Sequence, residues 1–320
     1  MSKVTLNWGI LGPGKIAHEF AADFQYVSNS QMVAVASKSV ERATAFAEEF
    51  NIGKAYSNYQ DLYSDPNVDI IYIATPHNYH FEQSLAALEA GKSVLCEKPI
   101  VTKISDLEVL IRKAREKGLF LMEGMWMYFH PAINKAKEWV DDGRIGTIKS
   151  IMSDFGFNVP FDPTSRMYNP DLAGGTLLDM GIYPVAIANL FLGAEPEKVH
   201  VSMRKAETGV DSDVVAILDY GVANATLHSS FDSRLPNLTQ IIGEKGTVVI
   251  PDCWGAKEAS LVVEGEVIER YLDQSEGRGF RHEIQSVTED VLAGKVIPSV
   301  MEHDQSLRLQ NIMELISNQY

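Results

Sequence analysis

Cysteine is almost missing from this chain. Its 320 residues include two, Cys96 and Cys253, too few for a disulfide framework, which fits a reducing cytoplasm. Basic residues are scarce as well: 28 Lys and Arg stand against 43 Asp and Glu, a formal net charge of -15. Such a chain makes a poor surface for nucleic acid or anionic lipid, and its charge favours solubility. No apolar run approaches the roughly 18 residues of a membrane span. Met1–Asn7 holds no apolar core followed by a cleavage site, so no signal peptide is expected. Low-complexity tracts are absent, and so is any repeat with a 20–50 residue period of the solenoid kind. These absences point to a cytoplasmic protein, with neither nucleic acid nor membrane as partner.

What is present is ordinary globular composition, 45% hydrophobic and 22% charged. The length exceeds what one compact core usually holds, so two domains are expected. Val4 to Leu11 has a strand pattern that ends in Gly12-Pro13-Gly14-Lys15-Ile16-Ala17. A helical pattern follows, with Ile16, Phe20 and Phe24 at four-residue spacing. This is G-x-G-x-x-A between strand and helix, the setting a dinucleotide fingerprint requires. Gly12 permits the tight turn, Gly14 lets the backbone approach a pyrophosphate, and the helix opening at Lys15 and Ile16 attracts the phosphates. The second strand, Met32 to Ala36, ends in Ser37-Lys38-Ser39, with Arg42 one turn on, rather than in the acid that takes an NAD ribose hydroxyl. Lys38 and Arg42 can neutralise a 2′-phosphate and a serine hydroxyl can donate to it, which favours NADP(H) over NAD.

Asp69 to Ala74 is apolar on both faces and reads as a buried strand. It ends in Thr75-Pro76-His77-Asn78-Tyr79-His80, where the Thr75-Pro76 turn is expected to pass along the cofactor and His77 or His80 to cap or line the crevice, with Asn78 between them. No Cys, Asp or third His nearby completes a ligand set, so no metal is expected. The next apolar run, Ser93 to Cys96, leads into Glu97-Lys98-Pro99, again at a carboxyl edge where ligands collect in a parallel sheet. The order βαβαβαβα through Leu119–Met122 predicts a doubly wound parallel sheet over residues 1–123. From Glu123 the pattern changes. Alternating runs at Lys149–Asn158, Val199–Met203, Val214–Asp219, Asn224–Phe231, Gln240–Ile242 and Thr247–Ile250 predict an antiparallel or mixed sheet in residues 124–320. Helices are expected at Ala132–Asp142, Gly175–Leu192, Gly279–Leu292 and His303–Ser317. The last could pack back on the first domain.

Asp179 and Tyr183 lie four apart on the expected Gly175–Leu192 helix and share one face. They are polar in an otherwise apolar stretch, and a structural hydrogen bond of Asp179 with Tyr183 as packing is one account of them. Hydride transfer offers another. Oxidising a secondary alcohol needs a base, and a nearby ammonium lowers a tyrosine from its ordinary value near 10. Lys98 from the first domain and Tyr183 from the second supply that couple, with Asp179 orienting one of them.

Gly12-Pro13-Gly14, Thr75-Pro76-His77, Glu97-Lys98-Pro99 and Gly174-Gly175…Asp179-x-x-x-Tyr183 together resemble the glucose-fructose oxidoreductase/inositol dehydrogenase/MocA-like family, in the right order along the whole chain. The resemblance implies an NADP-dependent oxidoreductase moving a hydride to or from a secondary alcohol or hemiacetal carbon of a sugar or vicinal diol, with an aldose such as D-xylose or a trans-dihydrodiol as candidates. It implies an open, largely antiparallel second-domain sheet whose outer face often makes a dimer, with Lys98 and Tyr183 as the proton-handling pair and Asp179 as partner. Trp126, Phe155 and Phe280 match aromatic positions that line the substrate pocket in members acting on aromatic dihydrodiols; Arg166 is a further candidate. The loop Pro160–Pro170 and the strands after Ala194 match no motif. Two other readings stay open: a catalytically silent dinucleotide sensor, and a reductase of a non-sugar carbonyl or imine.

Overall fold

A computed structural model describes residues 4–319; the first three residues of the Met1–Asn7 stretch read above lie outside them. In chain order, β1 (Leu6–Leu11), α1 (Lys15–Ala22), β2 (Ser30–Ala36), α2 (Val40–Glu49), β3 (Lys54–Tyr56), α3 (Tyr59–Ser64), β4 (Ile70–Ile73), α4 (His80–Glu89), β5 (Ser93–Glu97), α5 (Ile104–Lys117) and β6 (Leu121–Gly124) come first. Then follow α6 (Pro131–Asp141), β7 (Ile148–Gly156), α7 (Ile182–Leu192), β8 (Lys198–Lys205), β9 (Asp211–Asp219), β10 (Asn224–Ser230), β11 (Leu238–Gly243), β12 (Thr247–Pro251), β13 (Glu258–Val263), β14 (Glu266–Leu272), α8 (Phe280–Leu292) and α9 (His303–Ser317).

The chain forms two compact units. One runs up to Trp126 and includes Ser275–His303; the other holds Met127–Gln274 and the chain from Asp304 on. The first carries a six-stranded sheet in the order β3-β2-β1-β4-β5-β6, with every pairing parallel. The order reverses between β1 and β4, the switch point at which doubly wound sheets bind ligands. β4 and β5 are buried at every position, as continuous Ile and Val runs require of strands covered on both faces. Fully burying each such side chain contributes about 1.5–3 kcal/mol.

The segment Ser275–His303 joins this unit although it lies far along the chain. Its anchor is Asp23, whose buried carboxylate accepts the backbone N–H groups of Arg278 at 2.9 Å, Gly279 at 2.9 Å and Arg281 at 3.2 Å. Those are the orphan donors at the start of α8, and an acid at a helix N-terminus satisfies them. The sequence pattern placed this helix only as one of two that close the chain, because its partner Asp23 is remote.

The second unit holds an eight-stranded sheet ordered β14-β13-β12-β11-β7-β10-β9-β8, antiparallel except for the parallel pair β7 and β10. Ile151, Leu218, Ala225, Ile241, Val248 and Leu261 are buried on one face. Two strands, β13 and β14, went unread in the sequence. They form a hairpin closed by Glu264 (φ 52°) and Gly265 (φ 85°), the left-handed pair that two-residue hairpins favour. β14 is an edge strand with Val267, Ile268 and Leu272 exposed, so its burial imposes little alternation. One helical segment, Pro170–Leu192, is long and apolar enough to cross a membrane by composition, but 78% of its apolar window is buried inside the protein. It is a core segment: α7 packs on β7 and β10.

Candidate active site

In the first unit the residues after β1 build a cradle. Gly12 has φ +91°, and a Cβ there would sit 2.8 Å from Thr75 Cγ2 and 3.2 Å from the Ala74 carbonyl carbon. Only glycine fits that crossing without strain. A Cβ on Gly14 would find nothing nearer than the Ala74 carbonyl oxygen at 3.9 Å, so the surface above it is open. Gly14 caps α1 without a side-chain bond, and no acid lies in the first turn at Lys15 and Ile16. Bare amide N–H groups beside a side-chain-free approach fit the pyrophosphate of a dinucleotide. At the end of β2, Ser37 is buried and its Oγ accepts from the Ser39 amide at 3.1 Å. Lys38 is exposed and its ammonium lies 5.1 Å over the Tyr79 ring, a stacking partner that no local pattern could single out. Arg42 is exposed at the start of α2, with its amide donating to Ser39 Oγ at 3.3 Å. Cationic side chains at this edge fit a 2′-phosphate.

Beyond β4, Thr75 Oγ1 donates to Gln83 Oε1 at 2.6 Å; Pro76 precedes the helical turn His77–Tyr79, on which Asn78 is exposed and His77 half-buried. His80 differs from expectation. It is fully buried, with Nδ1 2.8 Å from the Pro99 carbonyl and Nε2 2.7 Å from the Thr75 carbonyl. Burial pushes its pKa below the ordinary imidazole value. Both nitrogens face backbone carbonyls, and the one that carries the proton donates, so His80 sits between the exit of β4 and the exit of β5 and does not line the crevice. At that second exit, Glu97 accepts from Tyr72 Oη at 2.5 Å, and Lys98 is 8% exposed and joined to Pro99 by a cis peptide. Glu283 of α8 is fully buried; burial and then the charge of Glu97 push its carboxyl far above the usual range. The Trp126 and Phe280 rings stack at 4.4 Å and 13°, and Phe280 meets Phe20 edge-on at 5.7 Å.

In the second unit, residues Leu177–Gly181 form a π-helical turn leading into α7. Such wide turns recur at functional sites. Asp179 lies in this turn and accepts from Arg166 Nη1 at 2.8 Å. Tyr183 is 7% exposed and meets Phe155 edge-on at 5.5 Å. Phe155 stacks in turn on Trp254 at 3.8 Å and 4°. Trp254 was missed from the sequence, since it sits in the short turn Cys253–Gly255 with no motif around it. Within the first unit the structure thus gathers Gly12 with Thr75, and Trp126 with Phe280; within the second it gathers Arg166 with Asp179, and Phe155 with Tyr183. Among the described residues no group of three or more His, Cys, Asp or Glu is placed to hold a metal ion.

A parallel sheet ordered about a switch point, with a glycine cradle at its carboxyl edge, is the framework of a dinucleotide-binding protein. Residues 6–125 match the family described as "Oxidoreductase family, NAD-binding Rossmann fold" and residues 133–249 the "GFO/IDH/MocA C-terminal domain". The chain belongs to the Gfo/Idh/MocA oxidoreductase family. Trans-1,2-dihydrobenzene-1,2-diol dehydrogenase of Mus musculus is 41% identical over 267 residues, 82% of this chain and 79% of that protein. The enzyme of the same name from Homo sapiens is 35% identical, covering 97% and 96%. A 3-ketoreductase from Actinomadura kijaniata in complex with NADP and TDP-benzene superposes with a TM-score of 0.89 at 27% identity, covering 98% of this chain and 97% of that one. An aldose-aldose oxidoreductase from Caulobacter crescentus complexed with glycerol gives 0.89 at 26%, with the same coverage. The ketoreductase is also solved with a lysine, or a tyrosine, replaced.

Proposed function

We propose that this protein is an NADP(H)-dependent dehydrogenase of a secondary alcohol or hemiacetal carbon in a sugar or vicinal diol, with a trans-dihydrodiol or an aldose such as D-xylose as substrate. What carries the reading is the setting of Tyr183, edge-on to Phe155, one turn from Asp179 in its ion pair with Arg166. A phenol held against an aromatic wall suits a ring with apolar C–H faces and hydroxyl edges. The relatives named for dihydrodiol and aldose chemistry support it.

The residues around Gly12, Gly14, Lys38, Arg42 and Thr75 hold the dinucleotide, which when bound accepts or donates the hydride. Tyr183 takes the hydroxyl proton in the oxidising direction and returns it in the reducing one. Lys98 is the second residue assigned to proton handling, and Asp179 is the partner that orients Tyr183. The substituted lysine and tyrosine of the ketoreductase are the same residue types. Trp126, Phe155 and Phe280 are the aromatic residues assigned to substrate binding.

The protein is cytoplasmic and a homodimer through the open face of the eight-stranded sheet. On that face Ile217, Thr226 and Met152 are aligned neighbours across three strands, with Ile217 44% and Met152 48% exposed. Light scattering should give twice the chain mass, and Met152→Asp should give the monomer; a monomeric wild type would refute the interface. The function itself is tested by nicotinamide absorbance with NADP⁺, then NAD⁺, against D-xylose, D-glucose, inositol and a trans-dihydrodiol, using wild type and Tyr183→Phe. Turnover of one substrate, lost in the variant, is expected; turnover of none by the wild type would refute the reading.

A further inference from the structure

We propose that Asp211 is a positioning residue for the hydride-transfer site, clamping the start of the turn that carries Asp179 and, just beyond it, Tyr183. The inference rests on the roles proposed above for those two residues. Asp211 opens β9. Its Oδ2 accepts the Leu177 amide at 2.6 Å, and its carboxylate also accepts the Thr176 amide. On its other side stands Gly175, at φ +122°, where a Cβ would lie 2.3 Å from Asp211 Oδ1. Its neighbour Gly174 is equally confined: a Cβ there would lie 2.7 Å from the Met167 carbonyl oxygen and 2.9 Å from that of Arg166. The glycine pair is therefore pressed between the Asp211 carboxylate and the backbone of the loop that supplies Arg166. Gly175 completes the joint, its N–H donating to the Met167 carbonyl at 2.9 Å and its carbonyl accepting the Asp179 amide at 3.3 Å.

One carboxylate thus fixes two things together, the origin of the π-helical turn and the loop that brings Arg166 to Asp179. A π-turn is a poor self-supporting structure, so the direction of Asp179 depends on what holds its ends. The far end is held by close contact of Gly181 with Ser229, where a Cβ would come within 2.8 Å of Ser229 Oγ. The near end is held by Asp211. A tilt of this turn displaces Asp179 and Tyr183 together, and a displacement of about 1 Å in reacting groups can lower a rate by about 100-fold.

The test is a cycle of Asp211→Ala, Asp211→Asn and Tyr183→Phe, singly and combined, on the full chain with NADP⁺ and the alcohol turned over in the assay above. NADPH affinity and thermal midpoint are measured alongside, and slow variants are followed at high enzyme concentration. Asp211→Ala should lower kcat about 10- to 100-fold while the NADPH dissociation constant stays within about twofold. Asp211→Asn, which keeps an acceptor oxygen, should recover most of kcat. In the Tyr183→Phe background Asp211→Ala should cost nothing further. Unchanged kcat in Asp211→Ala, or the same fold loss in both backgrounds while Tyr183→Phe alone is crippled, overturns the clamp and spares the tyrosine's role. Full turnover by Tyr183→Phe overturns both. If Asp211→Ala does not fold, the same comparison is read from the smaller loss in Asp211→Asn.

Discussion

Arg166 Nη1 donates to Asp179 Oδ1 at 2.8 Å, yet the two side chains live in different surroundings: the arginine is 53% exposed and the aspartate 13%. The pair is one-sided. An exposed cation adds little to stability, typically 0–1 kcal/mol, but it fixes the direction of a carboxylate shielded from water. Arg166→Met should therefore leave the thermal midpoint nearly unchanged while lowering kcat/KM about tenfold, equivalent to about 1.4 kcal/mol of transition-state stabilisation. Steady-state kinetics beside a melting curve would check this; equal losses in both would assign the pair to folding alone.

Lys98 sits at the end of a strand buried at every position, where a cation is placed at the ligand edge of the sheet. Lys98→Met should abolish most turnover, by about 100- to 10,000-fold as removal of an acid–base group does. NADPH binding, followed by fluorescence, should remain within about threefold. Preserved turnover would remove Lys98 from the chemistry.

The ammonium of Lys38 rests on Tyr79 at the edge where a 2′-phosphate fits. Replacing it by aspartate substitutes repulsion for a charge-assisted contact of about 1.5–3 kcal/mol. Lys38→Asp should shift the NADP⁺/NAD⁺ preference toward NAD⁺ by about 10- to 100-fold, measured as the ratio of kcat/KM values. An unchanged ratio would place the phosphate elsewhere.

A pH dependence of folding follows from Asp65. Burial raises its carboxyl, but bonds from Lys54, Asn67 and Tyr56 outweigh it and bring the pKa from 3.8 to about 2. The folded value lies below the unfolded one. The stabilisation is complete above the unfolded pKa and is lost as pH falls through the window from about 4 to about 2. Its size is about 1–2 kcal/mol, allowing for the half-exposed Lys54. Urea unfolding of wild type and Asp65→Asn should differ by that amount at about pH 6 and converge at about pH 2; a gap that persists in acid would contradict it.

The sequence determined by itself whatever depends on near neighbours along the chain. The parallel sheet, the Gly12–Gly14 turn and the buried strand leading to Lys98 were all legible, because period and turn chemistry are local, whereas the expected regular helix around Asp179 opens instead as a π-helical turn. Pairing partners are not local. Nothing near Phe280 announces that its helix is capped by Asp23 and that its ring stacks on Trp126; nothing near Trp254 announces Phe155. His80 looked like a crevice residue until the fold brought Pro99 and Thr75 to its two nitrogens, and β14 hid because an exposed edge strand needs no strict alternation. The tertiary structure decided these points, since a side chain's role is set by the desolvation and the partners it meets after the chain has closed on itself, and those come from segments a linear pattern cannot bring together.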